Sequence, residues 1–141
     1  MHERVQQWYQ RQYERFQQAG AFNEWDLQLY ASVINAKTPS ETQLLDLKAL
    51  TKQGNHYVET GRVAYFIDGE LVPEQELLEK VRTILGTSSD RFEKETLLEI
   101  VRFTEQKLTL RRPNIQRLEK IFAIGADQRK EYSQRKKQRI W

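Results

Sequence analysis

Apolar side chains recur at three- and four-residue spacing through most of this 141-residue chain, and that spacing restricts it to helices packed on helices. Val5, Trp8, Tyr9, Tyr13 and Phe16 form one such face, and Gly20 is placed to end that helix. Asn23 is positioned to cap a second helix carrying Trp25, Leu27, Leu29, Tyr30, Val33 and Ile34. Asp26 there sits in the positive first turn. In "TPSE" the pattern places Thr38 at the cap, Pro39 at the first helical position and Glu41 in a capping box. Leu44, Leu45, Leu47 and Leu50 follow, and Gly54 closes the helix.

One stretch breaks the helical period. In "HYVETGRVAYFIDGELV" the residues Val63, Tyr65 and Ile67 alternate with Ala64 and Phe66, and Asp68-Gly69 suits a two-residue hairpin turn. A hairpin over 62–72 is favoured over a helix across 56–67 ending at Gly69, although a lone hairpin is marginal in water. Pro73, Glu74, Glu76 and Glu79 open a further helix with a core face of Leu77, Leu78, Val81, Ile84 and Leu85, closed by Gly86. Ser89 or Asp90 caps a long helix to about Leu110, whose inner stripe is Phe92, Leu97, Ile100, Val101, Thr104 and Leu108. "RRP" breaks it, and a last short helix carries Ile115, Leu118, Ile121 and Phe122 to about Gly125. The expected fold is mainly α: one bundle of about six or seven helices over residues 1–125, a short hairpin, and a basic tail over 126–141.

Charge is unevenly distributed. Residues 128–141 carry six basic side chains against one acid, for +5, which leaves −2 for residues 1–127 out of a net +3. Such asymmetry points to an acidic partner, nucleic acid being the commonest. The absence of cysteine excludes disulfides, thiolate zinc sites and cysteine nucleophiles. The charged stretch "MHERVQQWYQRQYERF" lacks the apolar run of a signal peptide, and no segment reaches the roughly 20 apolar residues of a membrane span. A cytoplasmic protein without membrane contact is expected.

No catalytic constellation stands out. His2 and His56 lie far apart without helical ligand spacing; His2 reads as a solvated terminal residue and His56 as a loop or strand-edge residue. "GTSSD" follows a helix and lacks the lysine of a phosphate loop, so its serines read as cap and turn residues. The carboxylates gather in first helical turns, where the helix dipole favours them. No metal or cofactor is expected.

Three basic groups remain. Arg4, Arg11 and Arg15 line a stripe of the first helix bordered by Trp8. Arg111 and Arg112 sit at the helix break, with Arg117 and Lys120 one face further on. Arg129, Lys130, Arg135, Lys136, Lys137 and Arg139 make the tail. An arginine stripe on a helix is more often a solvated face, and arginines at a helix end also complement its dipole. A like-charged block is often an interaction arm, and that reading is favoured for the tail. The functional reading of all three is contact with a nucleic-acid backbone, DNA or RNA, through phosphate neutralisation. An apolar end on a charged arm gains nothing alone, so Trp141 is expected to dock on a partner or on the domain itself.

The size, helical content, scattered basic faces and the stretch "LQLYASVINAKTPSETQLLDLKAL" resemble the small helical subunits of CRISPR RNA-guided effector complexes. These include versions fused to, or translated from within, the large subunit's C-terminal region. The resemblance covers most of the chain and implies a non-catalytic role in antiviral defence. Several copies would stack with other subunits and hold a guide–target duplex or displaced strand by its backbone, leaving sequence reading to base pairing. Those subunits are all-helical, so a hairpin at 62–72 would depart from them. The alternative is a phage or plasmid accessory or inhibitor protein acting by protein–protein interaction. A small enzyme with a dispersed carboxylate site is the third reading.

Overall fold

The hairpin is present, and it sits between two groups of helices. The computed structural model describes residues 1–106 and 108–123. In chain order the elements are α1 (Glu3–Ala19), α2 (Glu24–Asn35), α3 (Glu41–Thr60), β1 (Ala64–Ile67), β2 (Glu70–Pro73), α4 (Glu74–Thr87) and α5 (Arg91–Glu105). A sixth helix, α6, covers 112–123. The fold is mainly helical, with one two-stranded antiparallel sheet among the described residues.

Local chemistry explains most boundaries. Asn23 Oδ1 accepts from the Asp26 N–H at 2.8 Å, capping α2, and Asp90 Oδ1 accepts from the Phe92 and Glu93 N–H groups to cap α5. His2, expected to be merely solvated, caps α1 by accepting from the Arg4 N–H through Nδ1. The start of α3 lies two residues later than "TPSE" suggested. Ser40, not Thr38, is the cap, and Gln43 rather than Glu41 completes the capping box.

Gly54 does not end α3. The helix runs through it, and through His56, to a left-handed Gly61 at φ 70°. Gly54 has a different purpose: a Cβ there would lie 2.7 Å from the Phe16 ring, so its missing side chain lets α1 approach α3. Gly86 is likewise inside α4, which continues to Thr87, and α5 stops at Glu105 rather than near Leu110. Two residues expected on the inner stripe of α5 and its continuation are outside: Phe92 is 78% exposed and Leu108 is also exposed. The helix ends before Leu108, whose N–H turns back to the Phe103 carbonyl, so the helical phase no longer aims that side chain inward.

Two apolar cores result. The N-terminal one joins Phe16, Tyr30, Val33, Ile34, Leu47 and Leu50 from α1, α2 and α3, with Tyr9 edge-on, Tyr13 stacked and Phe22 tilted around the Tyr30 ring. The C-terminal one is mostly aliphatic: Ile67, Leu77, Val81, Leu97, Ile100, Leu110, Ile115 and Leu118, with Tyr65 and Phe122.

The hairpin pairs Tyr65 with Val72 and Ile67 with Glu70, across a turn whose two residues both have positive φ, Asp68 at 50° and Gly69 at 82°. That is the primed turn that matches strand twist. Side chains secure the outer edge of β1. Gln53 Oε1 accepts from the Phe66 N–H at 2.9 Å, and the Arg112 guanidinium donates to the Phe66 carbonyl at 3.1 Å. These bonds, with the buried Tyr65 and Ile67, supply what a lone hairpin lacks.

Candidate nucleic-acid interface and the buried polar joint

The arginines singled out in the sequence separate into two environments. In α1 the positions 4, 8, 11 and 15 follow the i, i+4, i+7, i+11 spacing that keeps one line along a helix. Arg4, Trp8, Arg11 and Arg15 are all exposed, whereas Phe16, Tyr9 and Tyr13 pack against the N-terminal core. Trp8 therefore leaves the apolar face and stands within the arginine stripe, 42% exposed. Val5 is exposed beside it. The indole stands edge-on to Tyr9 with centroids 5.0 Å apart, and Tyr9 is in turn edge-on to the buried Tyr30. Among the described residues Arg4, Arg11 and Arg15 make no ion pair. Arg15 is held in place by neutral acceptors, Gln12 Oε1 at 3.3 Å and Asn55 Oδ1 at 2.8 Å, so its charge stays uncompensated.

The second group is split. Arg111, Arg117 and Lys120 are exposed. Arg112, their neighbour, is only 7% exposed and points inward. Its Nε donates to Asp46 Oδ1 at 2.9 Å, its NH1 to the Phe66 carbonyl, and its NH2 lies 3.9 Å from Glu119. Gln116 donates to the same Asp46 oxygen at 3.0 Å. Arg112 is thus engaged within the fold and offers no guanidinium to a phosphate. Nothing in the neighbouring sequence signals this, since Asp46 lies 66 positions away.

Asp26 completes the joint. It stands in the first turn of α2, and its Oδ1 also accepts from the Arg112 N–H at 3.2 Å, at the start of α6. Its other oxygen accepts from Asn23 Nδ2, which also donates to Thr109. One carboxylate, 2% exposed, therefore serves two helix N-termini. Burial pushes this carboxyl up to about 6, outweighing the Arg112 N–H, the Asn23 amide and the charges of Arg112 and Arg111, which all pull it down. Nearby, the Tyr65 hydroxyl accepts from the Leu110 N–H at 3.0 Å and donates to Glu74 at 3.3 Å; burial raises it well above the ordinary tyrosine range.

A shallow cleft opens at this joint, lined by Phe22, Asp26, Gln53, Tyr57, Tyr65 and Thr109 among others. Asp26, Gln53 and Tyr65 are committed to the bonds just described, and every buried side-chain polar atom among the described residues has a partner. The joint fastens the two cores together through polar groups that bond to one another. Among the described residues no group of three or more His, Asp or Glu side chains could hold a metal ion, and no helix is long and apolar enough to cross a membrane.

The tail residues Arg129, Lys130, Arg135, Lys136, Lys137, Arg139 and Trp141 lie outside the described residues, as does the helix end placed near Gly125. Comparison with known proteins found no matching family, curated protein or solved structure.

Proposed function

We propose that this chain is a non-catalytic subunit that binds a nucleic-acid backbone within a larger assembly. The observation that carries the reading is the outer stripe of α1, where Arg4, Arg11 and Arg15 are exposed and unpaired among the described residues, on a helix anchored by its other side. Uncompensated guanidiniums in a line suit the regularly spaced charges of a phosphate backbone. Arg111, Arg117 and Lys120 add a second exposed basic group near α6, and the +5 tail adds a third. The hairpin departs from the all-helical CRISPR small subunits, so the reading rests on these charges rather than on that resemblance. Base-specific reading is not part of it, because the basic groups are dispersed rather than gathered on one polar helix suited to a groove.

The test is fluorescence anisotropy of labelled oligonucleotides with the full chain at two salt concentrations. Each phosphate contact adds about 0.9 to the log–log salt slope on duplex DNA and about 0.7 on a single strand. Arg4→Gln/Arg11→Gln/Arg15→Gln is expected to flatten that slope by about two units and Arg111→Gln/Arg117→Gln/Lys120→Gln by less. Unchanged slopes, or no binding at low salt, would overturn the proposal.

A second reading, docking on a protein, draws on the neighbouring exposed leucines Leu44 and Leu45 of α3. It predicts a saturable protein complex that survives nuclease treatment and is lost in Leu44→Ser/Leu45→Ser.

A further inference from the structure

Three aromatic side chains are exposed among the described residues: Trp8, Trp25 and Phe92. Their surroundings differ. Phe92 has Glu95 and Glu99 at the third and seventh positions along α5, an acidic setting that repels phosphate. Trp25 has Gln28, Leu29 and Ser32 along its line on α2, without charge. Trp8 has Arg4 four residues before it, Arg11 three after and Arg15 seven after. Trp8 alone of the three combines a free aromatic surface with cations on both sides.

We infer that the α1 stripe selects single-stranded nucleic acid, with an unpaired base stacking on Trp8 while Arg4, Arg11 and Arg15 hold the flanking phosphates. The inference rests on the backbone-binding reading above and narrows its ligand. The physical reason is that a duplex hides the flat faces of its bases, whereas an unpaired strand can turn one outward. An indole is useful to the second and nearly idle toward the first. Arg4 to Arg15 spans about 16 Å along the helix axis. That is about five nucleotides at the stacked spacing of about 3.4 Å. The edge-on contacts from Trp8 to Tyr9 and from Tyr9 to buried Tyr30 restrict the indole's rotation, so little freedom is lost when a base stacks on it. The Gln12 and Asn55 contacts do the same for Arg15. Stacking does not depend on the sugar, so the ligand class is an unpaired strand of DNA or RNA.

The experiment uses the full chain and its Trp8→Ala and Trp8→Phe variants, with circular dichroism to check folding. The probes are labelled oligothymidylate, oligouridylate, an abasic strand of the same length and a duplex of the same length. Trp8→Ala is expected to weaken binding to both base-bearing strands roughly tenfold, and to leave the abasic strand and the duplex unchanged. Trp8→Phe should recover most of the loss. If Trp8→Ala leaves single-strand affinity intact, or weakens all four probes equally, the stacking inference is overturned while the backbone reading stands. If no probe binds the wild-type chain at low salt, the backbone reading falls first.

Discussion

Arg111 and Arg112 are adjacent in sequence, yet one side chain lies in solvent and the other is enclosed between the two cores, whereas the three arginines of α1 all face outward. The joint and the α1 stripe show that a basic residue is read by its acceptors. In the joint, Arg112 is surrounded by acceptors from three parts of the chain: Asp46 on α3, Phe66 on β1 and Glu119 on its own helix. On α1, the acceptors near Arg15 are neutral amides, so positive charge is left over. A buried charge is tolerated only because of its partners, while an exposed one is free to meet an external anion.

The most severe challenge to this contrast is Arg112→Ala. It leaves Asp46 enclosed without its cation and the Phe66 carbonyl without its donor, and the expected loss is about 3–5 kcal/mol, read by urea unfolding. A loss no larger than that of Arg111→Ala would mean the joint is not what fastens the cores. Removing both charges with Asp46→Asn/Arg112→Met should recover part of the loss, since the destabilisation lies mainly in the orphaned partner.

Asp26 gives the next largest effect, and its sign is set by burial. Its folded pKa of about 6 lies above the ordinary value of 3.8, so the folded protein takes up the extra proton between those values. That contribution to stability is full below about 3.8 and is lost as pH rises through about 6. Its ceiling is about 3 kcal/mol, because each tenfold gain in proton affinity is worth about 1.4 kcal/mol. Urea unfolding of wild type and Asp26→Asn at several pH values should therefore give a stability difference that moves in favour of wild type as pH falls from about 7 toward about 4. A flat difference would mean that this carboxyl does not titrate inside the fold.

Gln53→Ala should cost about 1–3 kcal/mol, because the Phe66 N–H at the hairpin edge loses its acceptor. Hydrogen exchange at Phe66 would locate the loss. The smallest effect on stability belongs to the α1 stripe: Arg4→Gln and Arg11→Gln should leave the unfolding midpoint where it is and change only salt-dependent nucleic-acid binding. A marked destabilisation there would make the stripe structural and erase the contrast.

Much of the fold was legible because its signals are local. Asp68-Gly69 between alternating apolar residues specified the hairpin, since both turn residues must adopt positive φ. Asn23 specified the start of α2 through its own side-chain oxygen, and of the two caps open for α5, Ser89 and Asp90, the structure uses Asp90. The α1 stripe was legible in the same way, as a spacing on one helix. Where two local signals competed, the nearer serine and glutamine displaced Thr38 and Glu41 as the capping pair of α3. Trp8 was ambiguous because it lies on the border of two faces, and only the placement of Tyr9, Tyr13 and Phe16 against the core put it with the arginines.

Residue order alone was enough for the helical period, the turn, most helix starts and the excess of positive charge at one end. Packing settled which glycine was a terminus and which was a point of contact: Gly54 is small because the Phe16 ring, 38 positions earlier, needs its space. Packing also turned Arg112 inward, onto Asp46, and Arg111 outward, and brought Asp26, itself in the first turn of α2, to accept from the first N–H of a helix 86 positions away. The difference is one of range. Dihedral preference and side-chain capping act within about four residues, whereas burial and charge pairing depend on which surfaces meet once the helices have packed.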